Sequence, residues 1–253
     1  MNAFEKHGLG HLSPSRINTW ISNPSMCLLN IAGFRDSAGA AAWRGTATDR
    51  ALTKATDDRS ASVDDLKQFA LEVFDNEWRE SLSAIPEEKI NKERRAVSRY
   101  VETGAPWIRM LPEPDSSQGK VVVHYDEIGV PVVGYYDLII GDDVRDMKTS
   151  ASAPNKLSES HARQLSVYWR GTGKKPWIDY ISPKEVKSYA VENVEYFDRQ
   201  FILAAKSLER VLSISDDILE CCQFVYPDLD HWMWSETMKL TARDVWNMEG
   251  LTQ

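Results

Sequence analysis

The sequence predicts an α/β (α+β) chain in which a mainly helical N-terminal region precedes a small mixed sheet. Three observations predict it. Over roughly the first hundred residues, apolar side chains recur at helical spacing. From Pro112 to Ser117 a cluster of breakers changes the texture. Beyond it, short β-branched runs bounded by turn residues alternate with further amphipathic stretches.

The elements follow in order. Ser13-Pro14 reads as an N-cap followed by Pro at the first helical position. Ile17, Trp20, Ile21, Met26, Leu28 and Leu29 then keep a helical spacing that Pro24 interrupts. A second helix is predicted from Ala40 to Thr56. A third runs from Val63 to Ser83, with Leu66, Phe69, Ala70, Val73, Phe74 and Trp78 on one face. A fourth, rich in Arg and Lys, covers Glu87 to Thr103. Strands are predicted at 121–125, 132–140 and 144–149, separated by turns at 127–130 and 141–143. Residues 158–170 have a helical pattern, and 176–181 and 187–191 read as strands. A long amphipathic helix over 194–213 and a final helix over 236–248 complete the chain. The expectation is one domain over 1–253: a helical region at 1–110, a sheet core at 111–215 and a C-terminal extension at 216–253.

Composition narrows the class. At 253 residues and 42% hydrophobic content the chain can bury a sizeable core. It lacks the run of roughly 18 apolar residues that a transmembrane helix needs. Met1 to His11 has no apolar core of a signal peptide, so a soluble, cytoplasmic protein without a membrane partner is expected. Cys27, Cys221 and Cys222 are too few and too poorly spaced for a disulfide framework or a zinc site. The net charge of −8, from 30 Lys and Arg against 38 Asp and Glu, excludes a broadly basic surface. It still allows a basic lining beside an acidic cluster, because net charge averages over both.

Two segments carry the chemistry: Gly134-Tyr135-Tyr136-Asp137 and Asp146-Met147-Lys148. On a strand, residues two apart share a face, so Asp146 and Lys148 project together. Across a tight hairpin, Asp137 lies beside them. Hard divalent cations prefer carboxylate oxygens, and a cation so held can activate water and polarise a phosphoryl oxygen. A neighbouring Lys stabilises charge growing on phosphorus. Asp-x-Lys alone is commonly just a solvated ion pair. Here the apolar Leu138, Ile139 and Ile140 place Asp137 on a buried strand, where an unpaired carboxylate is costly.

GYYDLII followed by VRDMKTS resembles the G-x-x-D…D-x-K-T core of the PD-(D/E)XK nucleases, and within them the RecB-like and CRISPR-associated exonucleases. Three further segments agree in order. Residues 12–17 with Asn23-Pro24 resemble that group's opening helix. Residues 44–49 resemble its R-G-T-x-x-H motif, and Gln164 to Tyr168 its Q-x-x-x-Y motif. The match spans roughly residues 12 to 170. The resemblance implies a restriction-endonuclease-like αβββαβ core. It implies that Asp137 and Asp146 are metal ligands, that Met147 lends its backbone carbonyl, and that Lys148 is the catalytic lysine. Gln164 and Tyr168 would contact DNA or brace the site. Asp49 stands where many relatives have His, and is expected to ligate Mg²⁺ or Mn²⁺ in its place. The implied activity is a DNA exonuclease acting on free ends in recombination, repair or resection, of the kind phages encode, with or without a recombination partner protein. A structure-specific endonuclease and an inactive nucleic-acid-binding relative are the alternatives.

Some of those relatives carry an iron–sulfur cluster on four cysteines. This chain has one early cysteine and an adjacent late pair, which argues against the cluster. Gly171 to Lys175 lacks P-loop spacing, and neither GxSxG nor HExxH occurs. Arg44, Lys156, Arg163, Arg170, Lys174 and Lys175, with Arg94, Arg95 and Arg99, are candidates to line a DNA path. Trp20, Trp43, Trp169 and Tyr136 are candidates for base stacking, with burial in the core the competing expectation for most of them.

Overall fold

Local start signals set the helices. Ser13, Asn23, Ser62, Ser158 and Ser235 each accept a backbone N–H of the first turn with their side chains, the usual N-cap arrangement. The structure is a computed structural model that describes residues 1–81 and 85–248. Among the described residues there are ten helices and five strands, a mixed α/β architecture of the expected class. In chain order these are α1 (Ala3–Lys6), α2 (Pro14–Ser22), α3 (Pro24–Ile31), α4 (Ala40–Asp57), α5 (Val63–Glu80), α6 (Glu87–Met110), β1 (Ser116–Val123), β2 (Val132–Ile140), β3 (Asp143–Thr149), α7 (Glu159–Thr172), β4 (Lys175–Ile181), β5 (Val186–Ala190), α8 (Val194–Leu212), α9 (Ile218–Cys222) and α10 (Glu236–Val245).

The strands form one sheet in the order β1-β2-β3-β4-β5. β2 and β3 are antiparallel, with Leu138 opposite Arg145 and Ile140 opposite Asp143. β3 and β4 are parallel over 143–149, with α7 as the crossover between them, and β4 and β5 are antiparallel. A buried ion pair pins β3 to β4: Arg145 Nε and Nη2 donate to the two Asp179 oxygens at 2.9 and 2.7 Å, and Ser188 Oγ donates to the same carboxylate.

The chain divides into two compact units. One is built from Ser37–Lys120 and Tyr135–Glu192. Its core joins Trp43, Ala47, Ala51 and Leu52 of α4 to Phe74 of α5, Val97, Tyr100 and Ile108 of α6, and Leu138, Met147 and Ile181 of the sheet. The other is built from Met1–Asp36, Val121–Gly134 and the chain from Asn193 onward. There α2 packs on α8, with Trp20 Nε1 donating to Ser207 Oγ at 2.6 Å, and Leu12 pairs with Val132.

Several boundaries differ from the sequence expectation for physical reasons. Pro24 starts a helix instead of disrupting one: Asn23 closes α2 and caps α3. α6 continues through Pro106 to Met110, because Gly104, Ala105 and Ile108 are buried and Arg109 donates to the Ala61 carbonyl. That burial outweighs the hydrogen bond lost at Pro106. β1 begins at Ser116, inside the predicted breaker cluster. α1 and α9, two short capped turns, were not expected, and α10 stops at Val245. Residues 82 and 83 of the predicted third helix lie outside the described residues.

Candidate active site

The cavity of interest, about 350 Å³, lies in the unit built from Ser37–Lys120 and Tyr135–Glu192. Asp49 from α4, Asp137 from β2, Asp146, Met147 and Lys148 from β3 and Gln164 from α7 all line it. The strand register brings these residues together. With Leu138 opposite Arg145, Asp137 falls beside Asp146, and alternation keeps Lys148 on the face of Asp146. Leu138 and Met147 turn into the core and fix the strands underneath.

The contacts are specific. Lys148 Nζ lies 2.5 Å from Asp146 Oδ2, and that oxygen has no other partner among the described residues. Gln164 Nε2 donates to Asp146 Oδ1 at 3.1 Å and to the Tyr168 hydroxyl at 2.6 Å, and Tyr168 in turn hydrogen-bonds Asp146. Met147 N–H donates to Asp137 Oδ2 at 2.5 Å. Of the seven site residues that the sequence singled out, Tyr168 alone does not line the cavity; it reaches the site through Asp146 and Gln164.

Electrostatics follow from this packing. Burial, then the neighbouring carboxylates, hold the Asp137 carboxyl well above its ordinary range. Asp146, 2% exposed, is also raised by burial, with Lys148 pulling the other way. Asp49 is raised by burial and Asp146, against Lys148 and Gln118. Burial alone would lower the Lys148 ammonium, but Asp146 and Asp137 outweigh it and the group stays above its ordinary value. The Tyr168 phenol is raised by burial and by Asp146, so it remains a neutral donor. His161, whose Nδ1 lies 2.7 Å from the Tyr180 hydroxyl, is pushed down to about 4 by burial and by Lys148.

The donor set suits a hard divalent cation. Ionised, three carboxylates and one ammonium leave two negative charges uncompensated in a largely buried space. The buried Thr48 Oγ1 on the same cavity wall has no hydrogen-bond partner among the described residues, and Asp146 Oδ2 has Lys148 alone. As placed, however, no three His, Cys, Asp or Glu side chains among the described residues converge on one metal position. The amide of Gln118 intervenes: its Nε2 donates to Asp137 Oδ1 at 3.3 Å, Asp49 Oδ1 at 3.5 Å and Thr53 Oγ1 at 3.0 Å.

Sequence reasoning missed two residues here. Gln118 follows the breaker cluster of 112–117 and precedes the strand expected at 121–125, and only its following Gly119 hints at an unusual backbone. Tyr135 lines the cavity with 60% of its surface exposed, whereas Tyr136, the stacking candidate, is buried with its hydroxyl 3.2 Å from Ser116 Oγ. Strand parity with Asp137 identifies Tyr135 as the outward ring. Trp43 is core, edge-on to Phe74, and Trp20 is buried too.

Three basic candidates are engaged internally. Arg44 pairs with Glu93 and lies over the Tyr100 ring, Arg94 chelates Asp75, and Arg163 is buried beside Glu159. Arg95, Arg99 and Lys156 are exposed. All three cysteines are buried, and burial pushes the thiols of Cys27 and Cys222 up to about 12.

The profile of the PD-(D/E)XK nuclease superfamily matches residues 11–175, which take in Asp49 and every β2, β3 and α7 residue named above. This chain belongs to the PD-(D/E)XK nuclease superfamily. The β1–β3 meander, the α7 crossover and β4 accordingly correspond to the restriction-endonuclease-like core. Members of this superfamily act on nucleic acid and typically use divalent metals such as Mg²⁺. No curated protein matches the chain. Among solved structures it is similar to one titled "Crystal structure of SSO0001", at 18% identity and a TM-score of 0.32, over 38% of this chain. The likeness spans about half, 50%, of that chain's length. No helix among the described residues is long and apolar enough to cross a membrane.

Proposed function

We propose that this PD-(D/E)XK protein is a Mg²⁺- or Mn²⁺-dependent exonuclease that hydrolyses phosphodiester bonds of DNA at free ends, in recombination, repair or end resection. The observation that carries the hydrolytic reading is the charge balance of one cavity, where Asp49, Asp137 and Asp146 face Lys148 as the one basic lining residue among the described residues. The exonuclease mode rests on the resemblance to RecB-like enzymes.

Asp49, Asp137 and Asp146, with the Met147 carbonyl, would hold the cation. The chemistry such a cation would supply there is activation of water and polarisation of the scissile phosphoryl group. The residues of the chain divide the remaining work. Lys148, kept protonated by the carboxylates, places a fixed positive charge beside the phosphate and donates hydrogen bonds as its charge grows. As an ammonium it cannot accept a proton. Gln164 and Tyr168 would hold the Asp146 carboxylate in place by hydrogen bonds, with Gln164 on its Oδ1. Tyr135 offers an exposed ring at the cavity against which a sugar or base can pack.

The test incubates the protein with linear and covalently closed DNA, single- and double-stranded, in Mg²⁺, Mn²⁺ or EDTA. Linear DNA is expected to be degraded, closed circles spared and EDTA to abolish cutting. Lys148→Ala is expected to lose about a hundredfold or more in rate, the scale of one lost charge-stabilising group. Absence of cleavage with every metal, or equal cleavage by the variant, refutes the nuclease. Efficient cutting of closed circles refutes the exonuclease and selects a structure-specific endonuclease.

A further inference from the structure

Gln118 holds a position that no sequence motif assigns, and three independent features build it. Its backbone is left-handed, φ +49°, which is uncommon for a residue with a side chain. The next residue, Gly119, admits no Cβ, since one would stand 2.1 Å from the Tyr136 ring. Within β1, the left-handed backbone of Gln118 and the ring packed on Gly119 accompany a side chain that reaches the site. There its single NH₂ group reaches two proposed metal ligands and Thr53 at once. Strain of this kind, kept where a less costly backbone was available, concentrates at functional sites. Gln118 lines a neighbouring groove of about 530 Å³, and Asp49 lines both that groove and the active-site cavity.

The amide has two ends of nearly equal size and opposite polarity. With bare carboxylates facing it, the NH₂ end is the favoured partner. A cation between Asp49 and Asp137 would repel that NH₂ and attract the carbonyl oxygen. Turning a terminal amide over costs little, because its torsion is broad and roughly two-fold. Hard cations readily take Gln carbonyl oxygens.

We infer that Gln118 is a switching ligand: its Nε2 bridges Asp49 and Asp137 in the metal-free protein, and its Oε1 turns in to join them around a divalent cation. This inference rests on the metal-binding part of the proposed function, and not on the cleavage itself. In the metal-free state Gln118 keeps the two carboxylates close despite their repulsion. In the loaded state it adds a neutral oxygen to the site.

The experiment is Mn²⁺ titration calorimetry on the full chain without DNA, together with the melting temperature in EDTA. Gln118→Gly removes the side chain and suits the left-handed backbone. It is expected to weaken Mn²⁺ binding about tenfold, the low end for a lost metal-supporting group. Gln118→Glu keeps an oxygen and loses the NH₂. It is expected to melt lower than wild type in EDTA yet bind Mn²⁺ at least as tightly. If Gln118→Glu loses affinity as Gln118→Gly does, the NH₂ alone matters and the switch is refuted. Unchanged or tighter binding by Gln118→Gly refutes it as well. Wild type that binds no Mn²⁺ overturns it together with the metal reading. Wild type that binds Mn²⁺ but cuts no DNA sinks only the nuclease.

Discussion

Asp137 is held against its own charge preference. Burial and the neighbouring carboxylates raise it, and Asp146 and Asp49 are raised for the same reasons. Between the ordinary carboxylate range and these raised values, the folded chain keeps protons that the unfolded chain has released. The contribution of these three groups to metal-free stability is therefore greatest below the ordinary carboxylate range and is lost as pH rises through the raised values. Asp137→Asn removes one charge and leaves an oxygen for the Met147 N–H. In EDTA at about pH 8 the variant is expected to be more stable than wild type by on the order of 1 kcal/mol, the scale of a typical single substitution. The gap should close near pH 4, where wild type is protonated as well. Cleavage should be lost at the same time. Thermal melts of both proteins across this range check it, and a variant no more stable than wild type at the higher pH refutes the strained-charge account.

Among the elements, two glycines test how tightly the site's frame is packed. At Gly119 a Cβ would fall 2.1 Å from Tyr136 Cζ and Oη, and the ring cannot retreat without leaving its place in the sheet. Gly119→Ala is expected to cost about 1–3 kcal/mol, as overpacking does. At Gly45, within the Arg-Gly-Thr segment of α4, a Cβ would meet only Thr149 Oγ1 at 3.7 Å. Gly45→Ala is expected to be neutral or to stabilise by up to about 1 kcal/mol through helix propensity. Urea unfolding of the two variants separates them, and a reversed order contradicts the packing described. The same pair shows what was legible in sequence. Asp137, Asp146 and Lys148 stand on two adjacent strands, so alternation and a short hairpin sufficed to group them. Gln164 and Tyr168 share a helix face one turn apart. Gln118 needed a left-handed backbone and a meeting with Asp49, 69 positions away, and neither leaves a periodic trace. Arg44 looked like a free cation because Glu93, its partner, lies on another helix.

For the whole molecule, the net charge of −8 and the two uncompensated charges of the site point the same way: a bound divalent cation should stabilise the folded chain. The unfolded chain has no preformed site, so binding shifts the folding equilibrium by mass action. With free Mn²⁺ a hundredfold above its dissociation constant the gain is about 2.7 kcal/mol. For a chain of this size that amounts to roughly 5–10 °C in melting temperature. The shift should grow as pH rises above the ordinary carboxylate range, because protons held by the raised carboxylates compete with the cation at lower pH. NaCl at matched ionic strength should not reproduce it, since screening acts on exposed charges far more than on buried ones. Asp137→Asn is the deciding control. It retains the fold's other acidic side chains, so a nonspecific effect of Mn²⁺ on them would persist in it. A melting temperature that rises equally in wild type and variant would place the cation outside this cavity. A rise in wild type alone, larger at the higher pH, is the outcome that the buried charges of Asp49, Asp137 and Asp146 require.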